Sequence, residues 1–115
     1  MGIAQAHGAA GERLAAAYFE LIGGAVMGRN LKLAGVEVDL LVEENGAQVL
    51  VEVKTRTRAD YGGAALAVDR AKRARLVRAS AALDPARARR IDVIAIETSE
   101  SGATLRHYRG AIGGG

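Results

Sequence analysis

Apolar and polar positions alternate along this chain with two different periods, and the changes of period mark its elements. From Gly8 to Leu21, and on to Ile22, the residues Leu14, Ala15, Tyr18, Phe19 and Ile22 recur at helical spacing, and Gly23-Gly24 ends the run. A strand containing Arg29-Asn30 is expected over 25–33. Residues 35–43 and 47–55 alternate with a period of two around Asn45-Gly46, the dipeptide that most strongly signals a two-residue hairpin turn. A loop through Asp60-Tyr61-Gly62-Gly63 leads to a second helix over 64–83. Its apolar stripe is Leu66, Ala67, Ala71, Ala74, Leu76 and Val77, its other side carries arginines, and Pro85 closes the region. Residues 91–97 form a nearly unbroken apolar run, as expected of a strand buried on both faces. A turn at 100–102 and a short strand at 103–108 complete the chain. The order α-β-β-β-α-β-β describes an α/β fold with a mixed central sheet flanked by helices. Residues 1–115 make a single domain whose ends, 1–6 and 113–115, are expected to be loose.

The hairpin carries the chemistry. A two-residue loop sets Glu44 against Ala47, which brings Asp39 opposite Glu52 and Glu37 opposite Lys54. Because side chains alternate across a strand, one face holds Val36, Val38, Leu40, Val42, Val49, Val51 and Val53, a predicted core. The other holds Glu37, Asp39, Leu41, Leu50, Glu52 and Lys54, a predicted site. Directly opposed carboxylates repel unless they share a proton or a cation. Their hard oxygens suit Mg²⁺ or Mn²⁺, which complete their shells with water and phosphate. Lys54, on the same face, is suited to orient or deprotonate a water, or to stabilise charge developing at phosphorus. Glu-x-Lys alone is ordinary on a solvent-facing strand. The opposed Asp39 is what turns it towards metal-assisted phosphodiester hydrolysis, and a bulge would put the two acids on different faces.

Composition narrows the setting. The chain lacks cysteine, which excludes a disulfide scaffold and Cys-ligated zinc and fits a cytoplasmic protein. No segment reaches 18 unbroken apolar residues, so neither a membrane span nor a secretory signal is expected. The net charge is only +3, but residues 69–90 hold eight basic residues against two acids, a local +6. Such segregation points to a polyanion, with nucleic acid the default, and equally suits a solvated arginine-rich helix face. With few aromatics, base stacking is not the main contact.

Several short motifs recur in one order through nearly the whole chain. They are Gly8-Ala9-Ala10-Gly11-Glu12 with Ala16 and Tyr18, Arg29-Asn30, Glu37-Val38-Asp39-Leu40, and Val51-Glu52-Val53-Lys54-Thr55-Arg56. Tyr61-Gly62, Ala67-Val68, Lys72, Arg90-Ile91-Asp92-Val93-Ile94-Ala95, and His107 with Ala111 follow. In this the chain resembles the PD-(D/E)XK nuclease superfamily. More closely it resembles the YraN family of small endonuclease-like proteins, similar in fold to archaeal Holliday junction resolvases. The resemblance implies a restriction-endonuclease-like core. It also implies metal binding by Asp39, Glu52 and the Val53 carbonyl, with Lys54 acting on water and Glu12 a further metal or water ligand. Glu37 is an accessory candidate, either for a second cation or as an ion-pair partner of Lys54. Arg56, Lys72, Arg75 and Arg78 are candidates for gripping phosphates, each also readable as a solvated charge. Asp92, in an apolar strand, is expected to be buried, hydrogen-bonded and structural. His107 reads as a packing or surface residue, and His7 carries little weight. The implied activity is a Mg²⁺- or Mn²⁺-dependent endodeoxyribonuclease acting on branched or junction DNA in recombination or repair, as a homodimer. The alternative is a nucleic-acid-binding accessory protein that keeps the fold but cuts weakly or only with a partner.

Overall fold

A computed structural model describes the backbone of residues 3–57 and 69–113, and side chains from residue 8 within those stretches. The order is α1 (Ile3–Leu21), β1 (Ala25–Leu33), β2 (Val36–Glu44), β3 (Ala47–Thr57), α2 (Arg70–Ser80), β4 (Arg89–Ser99) and β5 (Gly102–Tyr108). The strands form one sheet in the order β1-β2-β3-β4-β5. Neighbours run antiparallel except the central pair β3 and β4, which is parallel and joined through α2. This is the expected mixed α/β architecture. The expected loop at 60–63 and the start of the second helix, Leu66 and Ala67 included, lie outside the described residues.

Each face of the sheet carries a helix and a separate core. Ala15, Ala16 and Phe19 of α1 pack on Leu40, Val42, Val49, Val51, Ile94 and Ile96. Leu76 and Ala79 of α2, with Leu83, pack on Val36, Val38, Leu50, Ile91, Val93 and Ile112. Covering both faces explains why β4 is buried from Ile91 to Ile96 without alternation.

Four expectations change here. The valine face of the hairpin is not one core. Val36 and Val38 lie under α2, whereas Leu40 and Val42 lie under α1, so β2 changes layers at Asp39. The neighbouring edge strand accounts for this, with a register shift between Val26 and Gly28 and a left-handed Asn30 (φ 48°), irregularities that add local twist. Nor is the site face free of core residues, since Leu50 is buried under α2 and Leu41 packs beside it. In α1, Leu14 and Ile22 are 42% and 40% exposed. The buried arc of that helix is narrow, limited to Gly11, Ala15, Ala16 and Phe19 among the described side chains. The second helix starts at Arg70 because the extended Asp69 caps it, its carboxylate accepting the Lys72 N–H at 2.8 Å. Counted from that cap, Ala71 and Ala74 face solvent, while Leu76 and Ala79 face the core. No helix among the described residues is long and apolar enough to cross a membrane.

Candidate active site

The hairpin turn has Asn45 and Gly46 both at positive φ, 51° and 82°, as a two-residue connection between twisted strands requires. The β2–β3 ladder then runs from Glu44–Ala47 to Leu40–Val51, the register expected from the sequence. The next positions in that register are Asp39 and Glu52. Here Asp39 Oδ2 accepts the Val53 backbone N–H at 2.7 Å, so a side chain from β2 takes a hydrogen bond from the β3 main chain.

Glu52 sits beside Asp39 with only 6% of its surface exposed. Burial is the largest influence on its carboxyl, and the Asp39 charge adds to it, pushing its pKa up to about 7. Lys72 and Lys54 pull the other way, and hydrogen bonding with Asp39 favours a proton held between the two acids. Lys72 reaches in from α2, its Nζ 3.8 Å from Glu52 Oε1. That oxygen is buried and has no hydrogen-bond partner. Lys54 is half-buried, and its charge is felt both by Glu52 and by Asp69 at the start of α2.

A third carboxyl arrives on α1. Gly11 makes this possible, because a Cβ there would run into the Thr55 hydroxyl of β3. The next residue, half-buried Glu12, lies against Asp39 and within hydrogen-bonding reach of Asn30. Its pKa is raised by burial first and then by the Asp39 charge, while the Asn30 side chain lowers it. Three acids on three elements are thus linked pairwise, Glu12 to Asp39 and Asp39 to Glu52, with Lys54 and Lys72 at their rim. Among the described residues, no three carboxylate or imidazole groups form a ready-made cation cage.

The remaining candidates lie apart. Glu37 is exposed and pairs across to Lys32 of β1. The expected Glu37–Lys54 ion pair is not formed, because the β2–β3 ladder ends at Leu40–Val51 and the strands part before those side chains can meet. Arg56 lies near the end of β3, half-buried, its carbonyl accepting the Thr98 hydroxyl at 3.3 Å. Arg75 and Arg78 project from the exposed side of α2. Lys72 faces the acids as well as the helix surface, a contact that spacing along the helix alone does not reveal.

Asp92 is fully buried, as its apolar strand implies. It accepts from Arg90 Nε at 2.8 Å, the Gly110 N–H at 2.9 Å and His107 Nε2 at 2.7 Å. With that ring proton given to Asp92, His107 Nδ1 accepts the Tyr18 hydroxyl at 2.7 Å, and the ring packs edge-on against Phe19. Arg90 and Arg109 also clasp the buried Glu44. The expectation that His107 packs is met, but its part in a polar chain joining α1, β4 and β5 is not legible in the sequence.

A model of the family described as "Uncharacterised protein family UPF0102" matches residues 11–96, a stretch that includes Glu12, Asp39, Glu52 and Lys54. The chain belongs to that family, the YraN family. A UPF0102 relative from Geobacter sulfurreducens is 46% identical over 61 residues, 53% of this chain and 48% of the relative. One from Mycolicibacterium vanbaalenii is 43% identical over 61 residues, covering 53% and 50%. One from Solibacter usitatus is 46% identical over 65 residues, covering 55% and 49%. The chain thus spans about half the length of these UPF0102 relatives in alignment.

Proposed function

We propose that this UPF0102 protein is a metal-dependent endodeoxyribonuclease that hydrolyses phosphodiester bonds, with branched or junction DNA as its preferred substrate. One observation carries the reading: the buried Glu52 Oε1, which accepts no hydrogen bond and has only Lys72 at 3.8 Å, beside the Asp39 carboxylate, with Lys54 on the same strand face. Like-charged carboxyls that burial drives towards protonation are relieved by a cation, and their donors are hard oxygens. The residues therefore fit Mg²⁺ or Mn²⁺, held by Asp39, Glu52 and the Val53 carbonyl with Glu12 as a further ligand. The bound ion would supply charge neutralisation at a phosphodiester.

The chain's own groups account for the rest. The Val53 N–H holds Asp39 in place. Lys54 directs a water at phosphorus: the new P–O bond forms from that water, whose proton passes to solvent, and the bond to the departing sugar oxygen breaks as that oxygen takes up a proton from solvent. Lys72, released from Glu52, and the exposed Arg75 and Arg78 of α2 meet flanking phosphates. Branch preference calls for two sites acting together, hence a homodimer. The accessory-protein reading draws on the same arginines and on the lack of a three-residue cation cage among the described residues, and it requires no cleavage.

The test incubates linear, flapped and four-way-junction DNA with the protein in Mg²⁺, Mn²⁺ or EDTA, beside Asp39→Ala. Metal-dependent cutting that disappears in the variant is expected. DNA bound but left intact in every metal would support the accessory reading instead.

A further inference from the structure

We propose that Asn30 is a positioning residue of this site: presented by a left-handed turn of backbone inside β1, its side-chain amide sets the direction of the Glu12 carboxyl over Asp39. The proposal rests on the reading of Glu12, Asp39 and Glu52 as cation ligands and gives that site a residue outside the acid set.

The backbone makes the first argument. Arg29 pairs with Leu40 and Leu31 with Val38, so Asn30 lies directly across from Asp39 inside a continuing ladder. A residue in mid-strand is expected to be extended, yet Asn30 has φ 48°. That conformation is costly for most side chains, and Asn is among the few that tolerate it. No chain reversal explains it, since the β1–β2 turn comes later, at Ala34 and Gly35, both also at positive φ. A strained conformation opposite a candidate metal ligand is the kind of irregularity that clusters at functional sites.

The chemistry makes the second. Glycine would supply the same backbone at lower cost but no donor. Aspartate would tolerate the conformation but add a fourth carboxyl to three already crowded ones. Asparagine offers both the conformation and a neutral N–H donor that never ionises, and its side chain lies within hydrogen-bonding reach of Glu12. Groups that orient ligands in this way typically matter roughly ten- to a hundredfold in metal affinity.

Mn²⁺ binding by isothermal titration calorimetry, with thermal unfolding of each metal-free protein, tests this on wild type, Asn30→Gly and Asn30→Ala. Asn30→Gly keeps the wild-type melting temperature, because the backbone requirement is met, yet binds Mn²⁺ at least tenfold more weakly. Asn30→Ala loses both stability and affinity. In a Glu12→Gln background, Asn30→Gly costs no further affinity, since the amide has no carboxylate left to direct. Wild-type affinity in Asn30→Gly would reduce Asn30 to its backbone role and overturn the proposal. So would an equal loss with and without Glu12, even if Asn30→Gly proved less stable. Failure of wild type itself to take Mn²⁺ would remove the metal reading first, and this assignment with it.

Discussion

Two buried glutamates in this small protein are pushed in opposite directions. Glu52 has its pKa raised from 4.5 to about 7, so the fold holds its proton more tightly than the unfolded chain does. Stability therefore falls as pH rises from about 4.5 through 7, where Glu52 ionises in the folded protein. Glu52→Gln removes the charge, and it is expected to raise the melting temperature of the metal-free protein at pH 8 while making little difference at pH 4. An unchanged melting temperature at pH 8 would mean that Glu52 is already satisfied. Glu44 is the reverse case. Hydrogen bonding from Arg109, and then from Arg90, holds its pKa down from 4.5 to about 2. Its contribution is present above about pH 4.5 and is lost as pH falls towards 2. Glu44→Gln, which leaves Arg90 facing an uncharged partner, should lower stability at pH 7 by roughly 2 kcal/mol and flatten acid unfolding below pH 4. Urea titrations at the two pH values read both effects.

Among the elements, the hairpin was the most legible. Asn45-Gly46 permits one register, and alternation on both sides agrees with it, so the approach of Asp39 to Glu52 follows from spacing. The layer change at Asp39 was hidden, because its cause sits in a neighbouring strand, at Met27 and Asn30, where no local pattern marks it. The Lys72–Glu52 contact was hidden for a related reason: the start of α2 depends on the Asp69 cap, and that start decides which residues turn inwards. Asp92 was legible as a buried acid from its apolar strand, whereas its partners came from distant segments. The seating of α1 on β3 belongs to this scale too. Gly11→Ala adds helix propensity but sets a methyl against Thr55. A net loss of about 1–2 kcal/mol is expected by chemical denaturation, with Thr55→Ala recovering part of it in the double variant. Full stability in Gly11→Ala alone would show that the helix simply shifts.

At the scale of the whole molecule, the acids lie between α1 and α2, and the exposed arginines of α2 lead away from them. If phosphates follow that track, Arg75→Ala and Arg78→Ala should each weaken DNA binding similarly for every sequence and reduce the slope of log affinity against log salt by about one. An unaltered slope would move the DNA to another surface. The basic segment and the acid site do different work in this account, the first holding the polyanion and the second cutting it. Lys54 separates the two most cleanly, being half-buried beside Glu52 and outside the basic run of residues 69–90. The decisive measurement is the single-turnover cleavage rate of Lys54→Ala in Mn²⁺, taken beside its DNA affinity at the same salt. A rate lower by at least about a hundredfold, with affinity unchanged, is the predicted result. Cleavage at the wild-type rate in Lys54→Ala, or none by the wild-type protein on any DNA tested, would contradict it.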